Sequence, residues 1–228
     1  MSEEQQAPTL TVTVGAPVEA VWRSLRDPDL LRRWHGWHYG ELDAEIAVIY
    51  GEGATADDER HTLETNGDRF EVVPVEGGCE VRLTRPPFRP GEAWSDYYDD
   101  VTEGWTTFLQ QLRFAHEVHG LAERRTLFLA GRGAPDALDR LRSSLPTRAG
   151  EQEYAAAHQD GVRLPDLGPG LLVLGAKEPA VDASGRPAAD AMAVVTTYGL
   201  DDDGFAAEAG RWTAWWRTGF PGAGPAQT

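Results

Sequence analysis

The sequence predicts an α+β protein in which a curved antiparallel sheet is covered by one long helix. Three observations carry this. Residues 95–120, SDYYDDVTEGWTTFLQQLRFAHEVHG, form the longest stretch of helical periodicity, with Val101, Trp105, Phe108, Leu109 and Leu112 at three- and four-residue steps. Ahead of it lie several β-rich runs, with hairpin turn signals at Asn66-Gly67 and Gly77-Gly78. The chain opens with a β-branched alternating run and two short capped helices before that meander begins.

In order, residues 9–14 (TLTVTV) read as a strand. Ala16-Pro17 follows, with proline suited to a first helical position, and Val18, Val21, Trp22 and Leu25 give a short amphipathic helix. Asp27 caps and Pro28 starts a second helix whose apolar side is Leu30, Leu31 and Trp34, with Gly36 as its stop. Residues 44–50, 60–65, 69–75 and 79–84 read as strands. Pro86-Pro87 and Pro90-Gly91 mark a loop. In the long helix, Ser95 is the expected N-cap, and Asp96, Asp99 and Asp100 place negative charge at the positive end of the dipole. His116 and His119 lie in its last turn before Gly120.

At 228 residues, with 41% hydrophobic and 25% charged side chains, the chain can bury a substantial core as one large domain or two small ones. A net charge of −16 argues against nucleic acid or an anionic membrane as partner, because phosphates would be repelled. Lys177 is the only lysine, which with abundant Ala, Gly and Pro points to high-GC bacterial coding. Cys79 stands alone, so no internal disulfide forms, and its simplest role is a small buried hydrophobe. The polar, acidic start MSEEQQAP lacks signal-peptide character, and no run of about 18 apolar residues occurs. A cytoplasmic protein without a membrane span is expected.

The motifs at Ala16, Pro17, Glu19, Val21 and Trp22, then Asp27, Pro28, Leu31 and Trp34, and finally Gly104, Trp105, Leu109 and Leu112, give a resemblance. They match the patterns AP-x-E-x-V-W, DP-x-x-L-x-x-W and GW-x-x-x-L-x-x-L. Over residues 7–120 the chain resembles the START-like or SRPBCC superfamily, nearest its activator of Hsp90 ATPase-like branch, which is grouped with polyketide cyclases. The resemblance implies a helix-grip fold with a cavity between sheet and long helix, suited to apolar or aromatic small molecules.

From Glu123 the chain restarts. Residues 126–130 read as a strand, Gly133-Ala134-Pro135 leads into a helix marked by Leu138, Leu141 and Leu145, and TLFLAGRGAP echoes TLTVTVGAP. Gly104-Trp105-Thr106 is likewise echoed by Arg211-Trp212-Thr213 on a closing helix with Phe205, Ala209, Trp212 and Trp216 on its apolar stripe. Residues 123–220 therefore read as a degenerate repeat of 9–122. This second half looks leaner, with strands at 171–174 and 192–198, a polar loop-like tract at 147–169 that holds a helical turn or two at 151–158, and a turn-rich loop at 180–189. Residues 1–8 and 221–228 read as flexible ends.

Motif chemistry is sparse. There is no G-x-S-x-G elbow, no Walker A loop and no G-x-G-x-x-G fingerprint. His35-Gly36-Trp37-His38 with Glu41 fits no zinc spacing and reads as a loop at the pocket mouth, so neither metal nor cofactor is expected. The grip fold implied by the resemblance would place Trp34, Trp37, Tyr39, Tyr50, Tyr97, Tyr98 and Trp105 at cavity walls or mouth, where aromatic rings suit flat ligands. Core packing is the competing role for Trp22, Trp34 and Trp105. The candidate ligand-binding set is Trp34, Trp37, Tyr50, His61, Arg82, Tyr98, Trp105, Leu109 and Leu112. In it Arg82 would neutralise a ligand carboxylate unless it faces solvent. The leading expectation is a non-catalytic binder of a hydrophobic or aromatic small molecule, with a homodimer left open. A polyketide cyclase or aromatase is the alternative, requiring polar residues such as His61, Arg82 or Tyr98 to converge in the pocket, and a protein-interaction module is the third.

Overall fold

In a computed structural model the structure describes residues 9–87, 98–181 and 184–228, with residues 98–100 described in backbone only. The expected N-cap Ser95, along with Asp96, Tyr97 and the Pro90-Gly91 loop, lies outside the described residues. The chain is α+β, with two antiparallel sheets and a long helix in each of two compact units. The first unit holds residues 1–36 and 40–122, and the second holds Trp37–Tyr39 with Glu123–Thr228.

The first unit starts with β1 (Thr9–Val14), α1 (Val18–Ser24) and α2 (Pro28–Leu31), where the Asp27 carboxylate accepts from the Asp29 N–H at 3.0 Å. Next come α3 (Leu42–Ile46) and a π-helical turn, Ala47–Gly51. This corrects the strand expected at 44–50. Its β-branched composition suggests extension, but Leu42, Ile46 and Tyr50 recur every four residues and are buried, while Val48 is 49% exposed. Spacing outweighs propensity here. Strands β2 (Thr55–Asp57), β3 (Thr62–Thr65), β4 (Asp68–Val75) and β5 (Gly78–Thr84) form a meander, of which β2 was not anticipated. The sheet order is β1-β5-β4-β3-β2, all antiparallel, with Val14 opposite Cys79 and Thr9 opposite Thr84.

Helix α4 (Tyr98–His119) packs along β1. Trp105, Phe108, Leu109 and Leu112 are buried as the periodicity demands, whereas Val101 at the start of the stripe is 38% exposed. Strand alternation fills the inner face with Phe70 and Val72 from β4 and with Cys79, Val81 and Leu83 from β5. Burial lifts the Cys79 thiol to about 11, so it is an inert thiol.

The second unit contains β6 (Arg124–Gly133), α5 (Ala137–Arg142), β7 (Gln152–Ala155), β8 (Gln159–Leu164), a 3-10 turn (Pro165–Leu167), β9 (Gly170–Ala176), β10 (Ala180–Val181), β11 (Pro187–Tyr198) and α6 (Asp202–Gly219). It is not leaner. The tract at 147–169 supplies β7 and β8, and 180–189 supplies a small hairpin between β10 and the start of β11. Polar edge strands such as QEYA carry too little alternation to be recognised alone. The path β6-β11-β9-β8-β7, with β10 beside the start of β11, places the first strand against the last and runs the others backward.

The core of this unit joins Leu127, Leu129, Leu172, Leu174, Ala193 and Val195 of the sheet to Phe205, Trp212, Trp215, Trp216 and Phe220, with Leu138 and Leu141 of α5. Asp201 caps α6 through the Gly204 N–H at 2.8 Å. Gly168, at φ +93°, passes so near the Tyr198 carbonyl that a Cβ would lie 2.1 Å from its oxygen, so only glycine fits. Residues 221–228, expected as a free tail, are tied back by two backbone hydrogen bonds between Gln227 and Phe128, at 3.0 and 2.9 Å.

Candidate functional site

Inside the first unit a set of polar groups sits where an ordinary helix-on-sheet core would be apolar. His35, just after α2, has no exposed surface. Its Nε2 lies 3.2 Å from Glu45 Oε1 on α3, and its Nδ1 lies 3.0 Å from the Tyr50 hydroxyl on the π turn. A carboxylate only accepts, so Nε2 carries the proton and Nδ1 accepts from the Tyr50 O–H. Four rings enclose the imidazole, with centroids at 5.7 Å (Trp34), 5.2 Å (Tyr50), 5.7 Å (Trp105) and 4.7 Å (Phe108). Burial, reinforced by the charges of Glu45 and Asp68, pushes the Tyr50 hydroxyl well above its ordinary value, so it stays protonated.

A second polar group adjoins through Trp105. Its indole N–H donates to Asp68 Oδ2 at 3.1 Å, and Asp68 Oδ1 lies 3.4 Å from Arg85 Nε, with both side chains nearly buried. Arg85 also donates to the Thr102 hydroxyl of α4. Burial raises the Asp68 carboxyl above the usual range, and Arg85 and the Trp105 N–H hold part of that rise back. Both charged residues follow from strand parity. Asp68 falls on the side of Phe70 and Val72, and Arg85 continues the inward series Cys79, Val81, Leu83.

Of the sequence-predicted residues, Trp34, Tyr50 and Trp105 meet around His35, and Leu109 and Leu112 are buried on α4. Trp34 anchors its ring by donating to the Ser24 carbonyl at 2.9 Å. The other candidates are elsewhere. Arg82 has the outward parity and pairs with Glu80 at 2.6 Å, its side chain 44% exposed. His61 is in the turn before β3 rather than on a strand, at φ +50°, bonded to Glu19 at 3.0 Å and edge-on to Trp22. Trp37 belongs to the second unit, stacked on Phe128 at 4.0 Å, and His38 beside it meets the Thr126 hydroxyl. The side chain of Tyr98 lies outside the described residues. His116 donates to Ser24 Oγ at 3.0 Å, and Ser24 in turn donates to the Val21 carbonyl, so this serine is no nucleophile. Burial holds His116 below its usual value and keeps it neutral.

Sequence reading missed Glu45, Asp68 and Arg85, and put His35 in a loop at the pocket mouth, whereas it is fully buried. Parity alone singles out Arg85 over Arg82 once β5 is fixed, and the Leu42–Ile46–Tyr50 spacing would place Glu45 and Tyr50 on helical turns. Among the described residues no three His, Cys, Asp or Glu side chains gather as a metal site, and no helix is long and apolar enough to cross a membrane.

No family model matches the chain, and no curated protein matches it. Among solved structures it is similar to the crystal structure of DynU16, a protein of the dynemicin biosynthetic locus, at 13% identity over 92% of this chain and 95% of that one. The TM-score is 0.31, a likeness too weak to carry an argument.

Proposed function

We propose that the first unit is a START-like module, of the activator of Hsp90 ATPase-like kind, that binds a hydrophobic or aromatic small molecule between α4 and its sheet. The observation that supports this is the interior set itself. His35, Tyr50 and Arg85 are buried, and Asp68 nearly so, among Trp34, Phe70, Trp105 and Phe108, where apolar side chains would fill the space without desolvating polar groups. Rings with a few convergent polar groups are the usual lining of a small-molecule site. Trp34, Tyr50, Trp105, Leu109 and Leu112 form its proposed wall. The shared strand order supports the companion proposal that residues 123–220 repeat the first module.

Native mass spectrometry and thermal shift against polycyclic aromatics and fatty acids test the reading. A ligand at about 100 times its Kd adds about 2.7 kcal/mol to stability, which raises the melting temperature by several degrees. A chain that neither retains nor is stabilised by any of them is not a binder of this class.

The convergence of ionisable side chains favours a second reading, a cyclase-like enzyme on a polyketide-like substrate, with His35, Tyr50 and Asp68 in place of the expected His61 and Arg82. A ligand released chemically unchanged after prolonged incubation speaks against it.

A further inference from the structure

The geometry points to a proton relay, Glu45–His35–Tyr50, that links solvent to the interior of the first unit and enolises a bound aromatic ketone. It rests on the binding reading above and adds a reaction to it.

The chain of contacts has a direction. The Glu45 side chain is 30% exposed while His35 and Tyr50 are buried, so two hydrogen bonds of 3.2 and 3.0 Å join a carboxylate in reach of water to two interior groups. Tyr50 is delivered by a π-helical turn, a rare element found mostly as single turns at functional positions. The Glu45 carboxylate sits at the opposite ring nitrogen from Tyr50, where it can hold a proton delivered to the imidazole. A phenylalanine at 50 and an aliphatic residue at 35 would pack the same space and leave nothing polar to satisfy.

In the step, Tyr50 Oη takes the α-proton of the ketone while its own proton passes to His35 Nδ1. The α C–H bond breaks, its electron pair forms the enolate double bond, and the carbonyl oxygen takes the negative charge. The imidazolium so formed is held against the Glu45 carboxylate. Reversal after the relay protons have exchanged with water returns the ketone labelled at its α-carbon, with nothing oxidised or reduced. Tyr50 is the catalytic residue, since it touches the reacting atoms. Glu45 acts through His35 and is a positioning residue.

The test uses the full chain with 1-tetralone, a bicyclic aromatic ketone, in deuterated buffer. Proton NMR follows deuterium entry at the α-carbon, and saturation-transfer NMR follows binding separately. Exchange accelerated by about 10²-fold over buffer is expected. Tyr50→Phe should bind the ketone yet exchange it at the buffer rate. Glu45→Gln, a change at a partly exposed site, should keep binding and lower the maximal rate without raising the half-saturating concentration. Binding with no acceleration, or a Tyr50→Phe chain as fast as the parent, overturns the relay and leaves the binding reading standing. Absence of any binding overturns both.

Discussion

The two units share a strand order and differ in what they enclose. In each, the first strand lies beside the last and the intervening strands step backward, giving β1-β5-β4-β3-β2 and β6-β11-β9-β8-β7. Each ends in a long helix, α4 or α6. The second unit has a core of leucine, valine, alanine and three tryptophans, and also keeps Arg124, Thr126, Gln159, Thr196 and Thr197 buried. The first has admitted a histidine, a tyrosine, an aspartate and an arginine among its rings. Both interiors hold buried polar side chains; what sets the first apart is a histidine with no exposed surface, enclosed by four aromatic rings and bonded to Glu45 and Tyr50. A titratable cluster of that kind, which costs desolvation, is where function is to be sought.

Mutations can break or sharpen that contrast. Arg85→Met in the first unit leaves the Asp68 charge nearly buried without its cation and should cost about 3–5 kcal/mol in urea unfolding. Adding Asp68→Asn should recover part of the loss, and an unchanged midpoint for Arg85→Met would erase the distinction between the interiors. In the second unit the corresponding test is a hole in the apolar core. Leu172→Ala, at a fully buried position of β9, should cost about 2–5 kcal/mol. Trp216→Phe should shift stability by no more than about 1 kcal/mol, because the buried indole N–H it removes has no hydrogen-bond partner and its loss offsets the lost packing.

A smaller effect separates the units by pH. The folded first unit holds the Asp68 proton more tightly than the unfolded chain does, since burial raises this carboxyl. Its contribution to stability is thus greatest in acid and falls as pH climbs from the ordinary carboxylate value through the raised one. Asp68→Asn should flatten that part of the stability–pH curve; an unaltered slope would show that Asp68 does not titrate with folding. At the small end, Arg82→Ala should move stability by less than about 0.5 kcal/mol, as an outward arginine would.

How much of this was legible in the chain follows from which interactions are local. The stripe Trp105–Leu109–Leu112, the Asp27 cap and the turns at Gly67 and Gly77 rest on neighbours in sequence, and their signals are strong. The helical nature of 42–51 was present in the spacing of Leu42, Ile46 and Tyr50 but masked by β-branched neighbours. The site was harder. His35 gains its meaning from Glu45, Tyr50 and Phe108, partners 10, 15 and 73 positions away that only folding brings near. Trp37, two residues on, looks alike in sequence and goes to the other unit.

The pairing of first strand with last also has a consequence for how the chain is made. During synthesis β1 emerges well before β5, and β6 well before β11, so each opening strand waits for several seconds at about 5–20 residues per second without its hydrogen-bonding neighbour. Two such waiting strands with similar sequences, TLTVTV and TLFLA, invite exchange of partners between nascent units. The Gly120 and Leu121 turn, both at positive φ, falls between the closing helix of the first unit and the opening strand of the second. A ribosome that has passed it has released everything the first sheet needs, so the first β1–β5 ladder can close before the competing strand pair is complete.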